Sequence, residues 1–163
     1  MERDGGYSLG TPVRVGIFYD TKREKGATAT IVSWMADVLK ERRVSVEIER
    51  IGRVKDLSYD VFIVGSPIYW EKPMETVAEF LSSNNSLLAE KRVAVFIVCM
   101  AQLFGGITKR YIEGRYLKLL TKRLEKPPIL EGVFKGWLRN PNTGEKENVR
   151  RWVENLTKMI TKF

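Results

Sequence analysis

The chain has 163 residues, 44% hydrophobic and 29% charged, which fits one globular domain and excludes disorder, collagen and coiled coil. It has no histidine and one cysteine, so a Ser-His-Asp triad, a His-ligated metal site, an internal disulfide and a C-x-x-C redox pair are all excluded. Twenty-eight Lys and Arg against 20 Asp and Glu leave a net charge of +8, and any redox role would need a bound organic cofactor.

Met1 to Thr11 is polar and Gly-containing, and reads as a flexible lead-in to a domain over 12–163. It has no apolar stretch of the kind a secretory signal carries, and the longest apolar run, Val93 to Ala101, is about half a membrane span, so a cytoplasmic chain with no transmembrane segment is expected. Val13–Tyr19 is β-branched and aromatic and predicts a first strand. After Asp20–Lys25 and Gly26, the spacing of Ile31, Met35, Val38 and Leu39 predicts an amphipathic helix. Val44, Val46 and Ile48 alternate with polar residues, as in an edge strand with one wet face.

Val61–Val64 is wholly apolar and predicts a strand that ends at Gly65-Ser66-Pro67. Pro73 suits the first turn of the helix carrying Met74, Val77 and Leu81. Val93–Val98 predicts a second fully buried strand, followed by a helix carrying Ile112, Tyr116, Leu119 and Leu120. Ile129–Leu138 predicts the last strand, and Val149, Trp152, Val153, Leu156 and Ile160 mark the closing helix. Alternation of strands and helices implies an α/β fold, a three-layer, doubly wound, five-stranded parallel sheet. Placing the alternating strand outermost gives the order 2-1-3-4-5. The link Ile51–Tyr59 is too short for a crossover helix and predicts a single turn.

Ligands of such sheets bind beyond the carboxyl ends of the strands. After strand one, Thr21, Lys22, Lys25, Gly26, Ala27 and Thr28 open straight into a helix, as a phosphate site would. A plain loop with Thr28 as its N-cap is equally compatible. The segment matches neither a P-loop nor a dinucleotide fingerprint. After strand three, Ser66, Pro67, Ile68, Tyr69 and Trp70 offer backbone groups and two adjacent aromatics, which predict either a planar ring to stack on or a hydrophobic lid. After strand four, Cys99, Met100, Ala101, Gln102 and Phe104 offer amides and another aromatic; Cys99 alone reads as a small buried hydrophobe.

Three segments together resemble the flavodoxin-like, FMN-binding family over about residues 12 to 162: Tyr19-Asp20-Thr21-Lys22 with Gly26-Ala27-Thr28, then Tyr59 to Trp70, then Phe96-Ile97-Val98-Cys99. The Val98-Cys99 ending and Val133-Phe134-Lys135-Gly136 are similar to the branch that includes flavodoxin-type protoporphyrinogen oxidase. The resemblance implies a non-covalent FMN, its phosphate held by Thr21, Lys22, Lys25, Gly26, Ala27 and Thr28. Its ring would lie between Trp70 or Tyr69 on one face and Phe104 on the other, with Ser66 to Ile68 and Cys99 to Gln102 at the ring edge. It implies an electron carrier or an FMN-dependent oxidoreductase acting on an anionic small molecule such as protoporphyrinogen; no catalytic side chain and no metal are implied.

Two features stand apart from ordinary flavodoxins: a phosphate loop bearing Lys22, Arg23 and Lys25, and a pI near 9.6. Lys91 to Lys126 holds nine basic residues and two acids, +7 of the net +8. With no zinc finger, RNP or helix-turn-helix pattern, nucleic acid is not expected there; a solvated helix face, or a dock for a redox partner protein or an anionic small molecule, is. A cofactor-free interaction module is the rival from another class, and association into an oligomer stays open. A phosphoryl receiver is excluded, because Gly65-Ser66 stands where its acid belongs.

Overall fold

A computed structural model describes residues 12–100 and 109–161 of the chain. Five parallel strands form the sheet: β1 (Arg14–Tyr19), β2 (Ser45–Arg50), β3 (Val61–Tyr69), β4 (Arg92–Met100) and β5 (Leu130–Gly136). Their order is β2-β1-β3-β4-β5, and a two-residue strand, Lys72–Pro73, returns antiparallel against the end of β3. The 2-1-3-4-5 order read from the strand patterns is the one observed. Among the described residues no helix is long and apolar enough to cross a membrane.

Period-two alternation divides the core between the two faces. Val61 and Ile63 of β3 and Phe96 and Val98 of β4 face one way, onto α1 (Ala27–Glu41) and α6 (Gly144–Thr161). Phe62 and Val64, with Val95, Ile97 and Cys99, face the other way, onto α2 (Glu75–Ser83), the short α3 (Asn85–Leu88) and a broken helix. That helix consists of α4 (Lys109–Ile112), a π-helical turn (Glu113–Leu117) and α5 (Lys118–Thr121). Both faces of β3 and β4 are dry, which is why their sequences are apolar without alternation.

Several sequence expectations shift. β3 does not stop at Gly65 but runs on to Tyr69. Its pairing with β1 ends at Tyr19↔Gly65, while pairing with β4 continues to Pro67↔Val98. Pro67 therefore sits where β3 has a partner on one side only, the place in a sheet that tolerates a missing N–H. Pro73 lies in the returning strand rather than in the first turn of α2, whose N-cap is Met74. In the broken helix Leu117 is buried and Leu119 only half so, because the π-turn's wider winding rotates the stripe.

Gly65 is required by close approach: a Cβ there would lie 2.0 Å from the ring of Phe96. The free edge of β5 is closed by α6, where the Trp152 indole N–H donates to the Glu131 carbonyl (3.0 Å) and the Lys135 N–H donates to the buried Glu145 carboxylate (2.7 Å). Such side-chain caps leave less of the edge open to another strand.

Candidate functional site

The carboxyl ends of β1, β3, β4 and β5 converge on one cleft, lined by Thr21, Arg23, Gly26, Ala27, Thr28, Pro67, Ile68, Tyr69, Val98, Met100, Gly136, Trp137 and Leu138. One end is polar and belongs to the start of α1. Gly26 is the N-cap, in extended conformation and with no side chain to cap the helix, and the first turn holds no acidic residue. The leading N–H groups of a helix have no intrahelical acceptor, so this end presents donors and a positive dipole to the cleft. Thr28 is not the N-cap. Its side chain is buried within the first turn, and its hydroxyl has no hydrogen-bond partner among the described residues.

The loop before α1 is held from behind. The Asp20 carboxylate accepts from the Thr21 N–H (2.8 Å), from Nε of Arg50 at the end of β2 (2.8 Å) and from the Thr76 hydroxyl in α2 (2.5 Å). Arg50 also donates to the Thr21 carbonyl (2.6 Å). Burial alone would raise the pKa of Asp20, but the bonds from Thr76, Arg50 and Thr21 outweigh it and hold the carboxyl below its ordinary value. The loop's other acid, Glu24, lies 3.8 Å from Arg50 and 3.9 Å from Arg53. Arg23 has no carboxylate partner among the described residues, so positive charge faces the cleft mouth.

The other walls are apolar. Tyr69 is half-buried, and its hydroxyl stands 3.2 Å from the Thr21 hydroxyl and accepts from the Lys22 N–H at 3.4 Å. The Lys22 ammonium lies 5.1 Å from the centre of the Tyr69 ring. Opposite, Gly136 allows close approach: a Cβ there would meet Val98 at 3.0 Å and Ala27 at 3.6 Å. Trp137 beyond it packs on Trp34 of α1 at 5.6 Å.

The structure thus gathers Thr21, Gly26, Ala27, Thr28, Pro67, Ile68, Tyr69 and Met100 into the cleft, and leaves others out. Lys22 and Lys25 are exposed on the loop. Ser66 is fully buried and braces the entry to α2, donating to the Pro67 carbonyl (2.7 Å) and accepting from the Met74 N–H (2.9 Å). Cys99 is fully buried, and burial pushes its thiol up to about 12. Ala101, Gln102 and Phe104 lie outside the described residues. Trp70 is 91% exposed, with φ +51°, and Glu71 follows at φ +63°. These are the two central residues of the hairpin between Tyr69 and Lys72, a turn that usually takes Asn or Gly. Holding a bulky residue there costs roughly 1–3 kcal/mol. Sequence reasoning missed Trp137 and Leu138, although they follow the last strand and obey the same strand-end rule.

A helix N-terminus with spare donors suits a phosphate monoester, as do a buried hydroxyl with no hydrogen-bond partner and a guanidinium with no carboxylate partner among the described residues. An apolar slot walled by Tyr69, Ile68, Val98 and Trp137 suits a planar ring. The residues present therefore fit a flavin mononucleotide.

A family model described as a flavodoxin domain matches residues 16–162. No curated protein matches the sequence. Among solved structures, the chain is similar to a flavodoxin of Streptococcus pneumonia TIGR4, at 17% identity over 90% of this chain and 99% of that one, with a TM-score of 0.66. A Fusobacterium nucleatum flavodoxin bound to flavin mononucleotide matches at 16% identity over 90% and 98%, TM-score 0.58. The rubredoxin oxygen:oxidoreductase of Desulfovibrio gigas matches at 16% identity and TM-score 0.64, over 92% of this chain, which spans 37% of that larger one.

Proposed function

The chain belongs to the flavodoxin-domain family, and on that premise we propose that it binds FMN in this cleft and serves as a redox protein, carrying electrons on the flavin. The observation that carries the reading is the start of α1, with no side-chain cap, beside the buried hydroxyl of Thr28, which has no hydrogen-bond partner among the described residues. When bound, the flavin supplies the redox chemistry; the protein supplies binding, orientation and electrostatics.

Thr28, Arg23 and the first N–H groups of α1 hold the phosphate, with Gly26 and Ala27 leaving room for it. Tyr69 forms one wall of the ring slot, fixed in place by its bond to Thr21. Ile68, Val98 and Met100 exclude water from the slot. Residues 12–163 are the functional unit, and electrons leave to a partner protein or an anionic small molecule on the side of the broken helix; Lys91, Arg92 and Lys126 of the basic segment lie at the opposite end of β4 from the cleft. Titration of the purified chain with FMN, riboflavin and FAD, followed by flavin fluorescence, tests the reading. Preference for FMN over both others is expected, and no uptake of FMN would overturn it.

A further inference from the structure

We propose that the hairpin tip at Trp70 and the exposed cations of the neighbouring broken helix form a docking surface for an acidic electron-transfer protein. The inference rests on the FMN reading above, because Trp70 directly follows Tyr69, a wall of that cleft.

Trp70 is held at positive φ, a conformation that disfavours bulky residues, and its ring is almost wholly exposed rather than lining the cleft. The fold gains no burial from it. The tip is fastened to the broken helix: the Tyr116 hydroxyl lies 3.5 Å from the Glu71 carboxylate, and the Arg115 guanidinium lies 3.8 Å from it. On the outward face of that helix Arg110, Gly114, Lys118 and Lys122 follow one another at four-residue steps, all exposed. Arg110, Lys118 and Lys122 make no ion pair among the described residues. The acids beside the stripe are the half-buried Glu113 and the exposed Glu131, which share a groove with Arg110 and Lys118, and Glu125 beyond Lys122; the cations outnumber them on the helix itself.

Tryptophan and arginine are the residue types that most often anchor protein interfaces, and a field of one sign steers an oppositely charged partner. The stripe from Arg110 to Lys122 runs at most about 18 Å, the length of an unbroken α-helix at 1.5 Å per residue. That length matches a protein surface and exceeds what a small carboxylate could span.

The test uses the full chain loaded with FMN and an acidic two-iron ferredoxin as probe, with complex formation read by calorimetry at 20 and 200 mM salt. Binding that weakens at least tenfold between the two salts is expected. Lys118→Glu with Lys122→Glu should weaken it at least tenfold at low salt. Lys40→Glu with Lys158→Glu, an equal charge change in the last turns of α1 and α6, should alter it less than threefold. Trp70→Ala should weaken it about fivefold and keep the salt dependence, while FMN affinity stays unchanged in every variant.

The proposal is overturned by no binding at low salt, or by equal losses in the two charge-reversed pairs, which would make net charge the cause. A Trp70→Ala variant that loosens FMN but not ferredoxin also overturns it, as does tighter binding of a single-stranded oligonucleotide to the same surface. Ferredoxin binding with the stated pattern in a chain that takes up no FMN would instead overturn the preceding reading and leave this surface standing.

Discussion

The hydroxyls of Thr21 and Tyr69 stand 3.2 Å apart, which ties the loop after the first strand to the end of the third, 48 residues away. This bond separates two neighbours that the sequence presents as equivalents. Tyr69 is drawn into the cleft wall, and Trp70 is turned out at positive φ. Tyr69→Ala should therefore weaken FMN by roughly 1–3 kcal/mol, the worth of an aromatic stack on a base, and should raise the emission of bound flavin. Trp70→Ala should do neither. Fluorescence titration of both variants checks the pair, and the reverse pattern would assign the stacking to Trp70.

Thr28 and Arg23 should act on the phosphate alone. Thr28→Val should weaken FMN by about 1–3 kcal/mol, the range for a hydrogen bond to a charged group, and leave riboflavin within error. Arg23→Gln should weaken FMN as well and also flatten its dependence on salt, because the lost interaction is an exposed charge that ions screen. Parallel titrations with the two flavins at 20 and 300 mM salt would show this; equal losses for riboflavin would place the phosphate elsewhere.

Asp20 predicts a pH dependence of stability. Its folded pKa lies below the unfolded value of about 3.9. The contribution is therefore complete above roughly pH 5 and is lost as pH falls through the folded value. Asp20→Asn should cost about 1–3 kcal/mol at pH 7, because it weakens the bonds from Arg50 and Thr76. As pH falls through that folded value the variant and the parent should converge. Thermal unfolding midpoints between pH 7 and pH 2.5 measure the convergence, and a constant gap would remove Asp20 from this role.

Gly65→Ala should destabilise the fold by about 1–3 kcal/mol or more, since the added methyl collides with the Phe96 ring in the middle of the sheet. Urea unfolding would register it as a lower midpoint at unchanged slope. Gly114→Ala is the contrast. A Cβ there meets nothing within 4 Å, and the change should be neutral or slightly stabilising.

Cys99 should be inert. Its thiol is fully buried and pushed up to about 12, so the native chain should resist iodoacetamide at pH 8 and react only when unfolded. Rapid alkylation of the native protein, read by mass spectrometry, would contradict the packing described.

The strand runs at Val61 and Val93 were legible because both faces of a central strand are dry, which leaves no room for polar alternation. The edge position of β2 was legible from its alternation, but the alternation fails at its end, where Ile48 is exposed and Glu49 is buried, accepting from the Tyr59 hydroxyl. The end of β3 was not. Gly65-Ser66-Pro67 reads locally as a stop, yet pairing with Val98 of β4 carries the strand past it. Arg50 offered no local hint either, since its partner Asp20 lies 30 residues earlier in the chain.

What the sequence determined by itself was the alternation of apolar strands and amphipathic helices, hence the doubly wound sheet, and the cluster of Thr21, Gly26 and Thr28 at a strand-to-helix junction. Those are properties of period and neighbourhood, and they act over a few residues. The tertiary structure decided which of Tyr69 and Trp70 faces the cleft, that Asp20 is clamped from behind by Arg50, and that Trp137 closes the far wall. Each of these depends on where strands distant in sequence place their ends, and only the assembled sheet, packed on both faces, fixes that geometry.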